Sequence, residues 1–266
     1  MRRIKPIILT LSFLLVVGVA LWYAFGANLN NKPLPPAQDY QNFATTSKPD
    51  NIEEQPIDTP VVPEIPEPPV VTPKPPVEQS SSINLSVPFA SQAPFGDWSM
   101  PYKEACEEAS IIMVDYYVRG ATLSKQQMKD DIDTQVAWQE KTWGGHYDIS
   151  ISQLKTLGQQ FYPEYSFEII SSLTAEKIRQ QLRLGRPVIV PAAGRELYNP
   201  NFKDPGPLYH MLVIKGFTSD NKFITNDPGT RNGADYIYTE RTLMNAIRDW
   251  DGSAPEGEKV GLVMYR

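Results

Sequence analysis

The chain has few of the residues on which disulfide frameworks and zinc sites depend. Its 266 residues include one cysteine and two histidines. One cysteine excludes an internal disulfide, and together with two histidines it also excludes a cysteine-rich zinc site. We therefore expect neither a metal nor another cofactor.

Positive charge is also scarce. The chain has 25 lysines and arginines against 31 aspartates and glutamates, which gives a formal net charge of −6. No stretch forms the basic patch that nucleic-acid binding requires. We therefore exclude nucleic acid as a partner.

Charge is absent from residues 7–27, which follow Arg2, Arg3 and Lys5. A helix of this length spans roughly 31 Å, about the thickness of a bilayer's hydrocarbon core. We expect residues 1–31 to be an uncleaved membrane anchor, with its basic end in the cytoplasm. A cleaved signal peptide is the alternative, and in either case the remainder of the chain is exported.

Apolar periodicity is missing from residues 32–80, which contain 13 of the 25 prolines. Such a segment cannot bury enough apolar surface to offset the entropy of ordering it. The sequence therefore predicts a disordered, proline-rich linker between the anchor and a folded domain of residues 81–266. This last segment is long enough to bury the core of one domain.

The folded domain changes character at its middle, because helical periodicity gives way to short apolar runs. This order predicts an α+β fold whose sheet is mostly antiparallel. The predicted helices are Cys106–Gly120, Ser124–Asp131, Ser150–Phe161, Thr174–Leu184 and Arg241–Trp250. The predicted strands are Pro187–Pro191, Tyr209–Phe217, Lys222–Asp227, Tyr236–Tyr238 and Val260–Tyr265.

Cys106 lies where the first of these helices should begin. Asp97 and Ser99 are candidate caps, and Pro101 suits a first helical position. Free N–H groups and the positive end of the helix dipole favour a thiolate there, so Cys106 is a candidate nucleophile. The alternative is a cysteine that only packs in the core.

Glu107 and Glu108 follow the cysteine directly. A carboxylate that pointed at the sulfur would raise the pKa of the thiol. On a helix, we expect both side chains to project sideways, where they favour the helix dipole.

A cysteine nucleophile needs a base, which is usually a histidine. His146 lies in a glycine-containing loop, where we expect it to be exposed or to face a substrate. His210 begins an apolar strand and is the better candidate for the base.

The hairpin that follows His210 suggests its partner. A four-residue loop at Thr218–Asn221 places Leu212 opposite Asp227, with His210 one diagonal step away on the same face. A loop of odd length would bring Asn226 onto that face instead. Asp227 is the first candidate and Asn226 the second, and a strand-end aspartate that caps its own turn is the remaining alternative.

Four segments occur in this order: Ser91-Gln92, Cys106–Ser110, Gly206–Gly216 and Asn226–Gly229. Together they resemble the peptidase family C39-like cysteine peptidases. These peptidases are related to the bacterial double-glycine-leader peptidases that process bacteriocins, and they have a papain-like fold. The resemblance covers residues 85–266 and implies a helical first half whose cysteine helix packs on a sheet that carries the histidine and the aspartate.

The resemblance also implies roles for individual residues. Cys106 is the nucleophile, His210 the base, Asp227 the residue that orients the base and Gln92 a side-chain donor to the oxyanion. The spacing from Gln92 to Cys106 is longer than in papain, and on residues alone Gln92 is a loop amide bonded to backbone. The leader peptidases are usually fused to a transporter with an ATP-binding domain. This chain has no glycine-rich phosphate loop, so bacteriocin maturation is not implied.

Two functions follow. The first is a monomeric, membrane-anchored, extracellular hydrolase that cleaves a peptide, or a cell-wall peptide, through a thioester acyl-enzyme. The loop Gly194–Phe202 should border its cleft, where Arg195 either receives a carboxylate or is solvated. The second is a non-catalytic surface-binding or adhesion module on the same fold.

Overall fold

The computed structural model describes residues 33–44 and 82–266. The anchor predicted in residues 1–31 and residues 45–80 of the predicted linker lie outside these ranges. Across the described ranges, no helix is both long and apolar enough to cross a bilayer.

The described chain combines helices with one antiparallel sheet. The helices are α1 (Gln41–Ala44), α2 (Cys106–Val118), α3 (Lys125–Trp143), α4 (Ile151–Phe161), α5 (Ala175–Arg183) and α6 (Glu240–Ala246). The strands are β1 (Ile83–Asn84), β2 (Ser166–Ile170), β3 (Val188–Ala193), β4 (Tyr209–Phe217), β5 (Lys222–Asn226), β6 (Tyr236–Thr239) and β7 (Gly261–Tyr265). Short 3₁₀ turns cover Tyr102–Glu104 and Gly194–Leu197.

The sheet has the strand order β2-β7-β3-β4-β5-β6, and β1 pairs with β4. All of these pairs are antiparallel. Strands β3 and β4 are buried along their whole length, as expected for strands covered on both faces. The predicted α+β fold, helical first and then strand-rich, is confirmed.

Helix α2 is the centre of the fold and packs against β4, α3, β7 and α4. The sequence pattern predicts one apolar face, but every residue of α2 is buried. A helix that is covered on all sides belongs to the core. Its polar residues therefore need partners inside the protein.

Helix α2 begins at Cys106 as predicted, but the predicted caps and the predicted first helical position do not open it. Pro101 leads into the 3₁₀ turn Tyr102–Glu104, the chain bends at Ala105, and α2 begins at Cys106 itself. Ala105 offers no side-chain cap. The predicted cap Asp97 instead accepts the Ser99 N–H at 2.9 Å within its own turn.

Two elements of the helical half were mispredicted. Helix α3 runs to Trp143 rather than ending at Asp131, because a narrow apolar stripe, Met128, Ile132 and Val136, continues to face the core. Strand β2 was missed because it is an edge strand whose residues are mostly exposed or half-buried.

The segment Pro36–Ala44 packs on the folded domain, so the disorder predicted for residues 32–80 is wrong for this part. Gln38 forms a parallel bridge with Leu85. The Tyr40 ring lies edge-on against Tyr117 at 5.6 Å, and the Tyr40 hydroxyl accepts the Arg266 N–H at 2.9 Å. The aromatic side chain of Tyr40 gives this short segment an apolar contact with the core.

Candidate active site

The start of α2 and the start of β4 line one cleft of about 830 Å³. This volume is typical of a ligand-binding site. Cys106 and His210 both lie on its wall. Arg195 and Phe202 also line it, so the predicted loop Gly194–Phe202 does border the cleft.

His210 and Asp227 are in direct contact. The His210 Nε2 atom lies 2.7 Å from the Asp227 Oδ1 atom, and the two side chains are 2% and 0% exposed. The hairpin begins with Phe217 opposite Phe223, so its loop is one residue longer than predicted. A bulge between Ile214 and Gly216 then restores the predicted register.

Asp227 is fully hydrogen bonded. Besides His210, its carboxylate accepts from the Tyr238 hydroxyl at 2.7 Å, the Asn199 Nδ2 atom at 3.1 Å and the Gly229 N–H at 3.1 Å. Burial alone would raise the pKa of Asp227, but the charge and hydrogen bond of His210, followed by the other donors, hold it below its usual range. The carboxylate is therefore ionised.

An ionised Asp227 fixes the tautomer of His210. The proton lies on Nε2, which leaves the lone pair of Nδ1 as the proton acceptor. Gly229 lies against the same ring, because a Cβ atom there would approach the His210 Cε1 atom to 2.7 Å. A larger residue at position 229 would displace the imidazole.

Asn226, the second candidate partner, faces away from His210. Its Nδ2 atom donates to the Val87 carbonyl at 2.9 Å, and its Oδ1 atom accepts the Asp235 N–H at 3.2 Å. Asn226 therefore holds the segment that leads into the cysteine helix.

The backbone at the start of α2 can bind an anion. The first N–H of the helix that meets a backbone carbonyl is that of Ala109, which donates to Ala105 at 3.0 Å. The N–H groups of Cys106, Glu107 and Glu108 have no acceptor among the described residues. Such free donors at a helix N-terminus are suited to an oxyanion.

The sulfur itself contacts a carboxyl group. Cys106 Sγ lies 3.1 Å from the Glu107 Oε2 atom, and no hydrogen bond joins it to His210 among the described contacts. Burial, and then the charge and hydrogen bond of Glu107, raise the pKa of Cys106 well above its usual value. We expected the helix start to favour a thiolate. In this arrangement the thiol is favoured instead, because burial and Glu107 raise its pKa by more than the free N–H groups lower it.

The expectation that the glutamates project sideways is therefore wrong for Glu107, whose carboxyl group meets the sulfur. Glu107 and Glu108 are each 1% exposed. The Glu107 Oε1 atom accepts the Ile149 N–H at 3.1 Å. The Glu108 Oε1 atom accepts a hydrogen bond from the Gln139 amide.

Gln92 lines the cleft, but both of its amide protons are used. Its Nε2 atom donates to the Tyr102 carbonyl at 3.0 Å and to the Lys103 carbonyl at 2.9 Å. These bonds hold the 3₁₀ turn that precedes Cys106. Donation to an oxyanion is not made in this conformation and stays a prediction.

His146 was expected to be exposed or to face a substrate, but its side chain is only 4% exposed. Its loop folds onto the start of α2, and its Nε2 atom lies 3.4 Å from the Glu108 Oε1 atom. Burial lowers the pKa of His146, but Glu108 more than offsets this effect and the net shift is upward.

Sequence reasoning missed several residues of the site. Tyr238 and Asn199 could not be found, because their contacts with Asp227 depend on the fold. Asp148 lines the cleft, and burial, followed by the charge of Glu104, raises its pKa to about 6. Within the described ranges, no group of three or more metal-ligating side chains has the geometry of a metal site.

The α+β fold, with a His–Asp pair in the same cleft as the chain's only cysteine, is that of a papain-like, cysteine-peptidase-like domain. Residues 84–254 match the Peptidase_C39 like family. The chain belongs to this family. No curated protein matches the chain.

A solved structure is similar to this chain. It is the crystal structure of a proposed C39-like peptidase from Bacillus anthracis, which has 16% sequence identity and a TM-score of 0.47. The alignment covers 70% of this chain and 98% of that chain.

Proposed function

We propose that the protein is a membrane-anchored, extracellular cysteine peptidase that acts through Cys106, His210 and Asp227. The observation that carries this proposal is the buried His210–Asp227 pair, joined at 2.7 Å, in the same cleft as the chain's only cysteine. Core packing alone does not require an ionised aspartate held by four donors.

The first half of the reaction forms a thioester. The Cys106 proton passes to His210 Nδ1, and the resulting thiolate attacks the carbonyl carbon of the scissile amide. The free N–H of Cys106 stabilises the oxyanion of the tetrahedral intermediate. His210 then gives its proton to the leaving amine, and the acyl group stays on the sulfur.

The second half hydrolyses the thioester. His210 takes a proton from a water molecule, which attacks the acyl carbon. The C–S bond then breaks, and the imidazolium returns its proton to the sulfur as the acid product leaves. Asp227 stabilises the imidazolium in both halves. Gln92 can add a second oxyanion donor only by releasing one of its two backbone carbonyls.

The lining of the cleft supports a peptide or cell-wall peptide as the substrate. It carries side chains of both charges, which can pair with the amine and carboxylate groups of a peptide. The cations are Lys103, Arg195, Lys203 and Arg231, and the acids are Glu104, Asp148 and Asp204. Arg195 has no carboxylate partner among the described residues, so it is available to a substrate carboxylate.

The membrane location and the monomeric state belong to the same proposal. The location is supported by the uncharged segment at residues 7–27 and the basic residues before it. The basic flank favours a cytoplasmic N-terminus, which puts the peptidase domain outside the cell.

A non-catalytic binding module is the second candidate. It is favoured by the contact of the Cys106 sulfur with Glu107 and by the raised pKa of the thiol. On this account the cleft binds a peptide that it does not cleave.

Turnover tests the two candidates directly. Full-length protein and its Cys106→Ala and His210→Ala variants are incubated with proteome-derived peptides and, separately, with peptidoglycan fragments. Mass spectrometry then detects new amine termini. We expect products with the unmodified protein and none with either variant. Binding of equal strength by all three proteins without any product would overturn the peptidase proposal and support the binding module.

A further inference from the structure

Glu107 is a buried acid that the reaction above does not use. Its carboxyl group has two contacts. The Oε1 atom accepts the Ile149 N–H at 3.1 Å, and the Oε2 atom lies 3.1 Å from Cys106 Sγ. The carboxyl group is therefore fixed on one side by a backbone loop and meets the sulfur on the other.

The loop that holds Glu107 is itself tied to the strand of the base. The Tyr209 hydroxyl donates to the Ile149 carbonyl at 2.9 Å, and Tyr209 is the neighbour of His210 in β4. Glu107, Ile149 and Tyr209 are all buried. This chain of contacts gives Glu107 a defined place between the nucleophile and the strand that carries the base.

The surroundings of the sulfur are predominantly acidic. Among the acids, Glu108 lies on α2, Asp148 on the loop and Glu104 on the 3₁₀ turn. Lys103 on that turn pairs with Glu104 at 3.1 Å. The remaining titratable groups that face this region are His146 on the loop and Tyr209 and His210 on β4. An acidic environment opposes a thiolate, so the sulfur at rest keeps its proton.

We propose that Glu107 is a positioning residue that holds the Cys106 thiol in a resting orientation, away from His210. This proposal rests on the proposed peptidase function. The S–H group donates to Glu107 Oε2 at rest. When a substrate fills the cleft, the sulfur leaves Oε2, and its proton passes to Nδ1 of His210. Glu107 keeps its hydrogen bond with Ile149, and Asp227 stabilises the imidazolium that forms.

A resting thiol suits an unpaired cysteine outside the cell. The thiolate is the form that is oxidised and alkylated, so a thiol held on a carboxyl group reacts slowly with both kinds of reagent. Reactivity then depends on a ligand in the cleft. The lone cysteine is protected until a substrate is bound.

The S–H stretching band of the unmodified full-length protein tests the resting state. The chain has one cysteine, so this infrared band reports Cys106 alone. At neutral pH we expect the band to be present, and to lie at lower wavenumber than that of a thiol without a strong acceptor. A missing band at neutral pH would show a resting thiolate and overturn the proposal.

The variant Glu107→Gln tests the role of the carboxyl group, and Glu108→Gln is the matched control. Glu108 is equally buried and adjacent but does not contact the sulfur. Because a hydrogen bond from the S–H group to the carboxyl group favours the protonated thiol, Glu107→Gln should speed alkylation by iodoacetamide at neutral pH at least about tenfold. The control should give a smaller increase. Equal increases, or none in Glu107→Gln, would overturn the proposal.

These measurements separate failure of this proposal from failure of the proposed function. The infrared band of the unmodified protein decides the resting state even if Glu107→Gln does not fold. The double variant Glu107→Gln/His210→Ala addresses the function. Alkylation that is as fast in the double variant as in Glu107→Gln would count against a Cys–His pair, whatever the band shows.

Discussion

The chain's two histidines both lie buried beside a carboxylate, but the two pairs differ in their distances and in their hydrogen bonds. His210 and Asp227 meet at 2.7 Å, and Asp227 accepts three further hydrogen bonds. His146 and Glu108 are 3.4 Å apart. Both ring nitrogens of His146 and the Glu108 Oε2 atom lack a hydrogen-bond partner among the described residues.

The difference shows that burial beside an acid does not by itself define a catalytic histidine. The donors around Asp227 fix its charge and so fix which nitrogen of His210 carries the proton. The Glu108 carboxylate accepts one hydrogen bond, from the Gln139 amide, and His146 is held less firmly than His210. Two histidines in the same kind of place can therefore have different roles.

The largest expected effect separates the two histidines by activity. His210→Ala should reduce kcat/KM about a hundredfold to ten-thousandfold, the usual contribution of a general base. His146→Ala should reduce it by less than about tenfold, since its ring does not line the cleft. The measurement is peptide turnover by both variants on the same substrate. Equal losses would remove the distinction between the two pairs.

Removing the acid of the well-formed pair should destabilise the fold strongly. Asp227→Ala leaves His210 and Tyr238 without their acceptor. Loss of one partner of a buried pair typically costs about 3–5 kcal/mol in the free energy of unfolding. Urea denaturation of Asp227→Ala and of Glu108→Ala compares the loss in the free energy of unfolding between the two variants. A larger loss in Glu108→Ala would show that we have ranked the two pairs wrongly.

A single hydrogen bond to Asp227 should contribute less. Tyr238→Phe removes one donor to the charged Asp227 and also the hydroxyl that accepts from Asn199 at 2.8 Å, which should cost about 1.5–3 kcal/mol of stability. Tyr236→Phe is the matched control, because its ring packs against Tyr238 at 4.7 Å. Urea denaturation should show a clear loss for the first and little change for the second. The reverse order would mean that the Tyr238 hydroxyl is not the donor that matters.

The smallest expected effect is the pH dependence of the weaker pair. The pKa of His146 is raised above its usual 6.5 in the folded protein. Its contribution to stability is therefore fully present below pH 6.5 and is lost as the pH rises through the folded-state pKa. His146→Gln should remove this part of the pH profile. Asp227, whose pKa is lowered, affects stability in a different pH range. Its contribution to stability is lost only as the pH falls below 3.8.

NMR of the histidine ring protons checks the same point in the unmodified protein. With two histidines there are two sets of signals. We expect one set, absent from His146→Gln, to titrate above pH 6.5. A His146 signal that titrates below 6.5 would contradict the ion pair with Glu108.

The contact between His210 and Asp227 could be predicted from the sequence because residues alternate regularly between the two faces of paired strands. His210 and Asp227 could be placed on one face from the alternation of residues in β4 and β5. The bulge in β4 was not foreseen, but it cancelled the error in loop length. The weaker pair could not be foreseen, because His146 lies in a loop whose path depends on the core beneath it.

The environment of the sulfur was also beyond sequence reasoning. The free N–H groups at the helix start were expected, and the structure has them. The turn of Glu107 towards Cys106 depends on its bond to Ile149, which lies 42 residues further along the chain. The packing of Pro36–Ala44 could not be predicted either. Its composition is typical of a linker, although its aromatic residues pack against the domain.

Labelling of Cys106 by a peptide-based electrophile tests the central claim most directly. A library of peptidyl vinyl sulfones is reacted with the full-length protein and with His210→Ala, and the rate of single-adduct formation is measured by intact mass. Our account predicts that a peptide which fills the cleft labels Cys106 in the unmodified protein, while the variant reacts at least about a hundredfold more slowly. Equal rates in the two proteins, or labelling only after unfolding, would contradict the assignment of Cys106 and His210 as a catalytic pair.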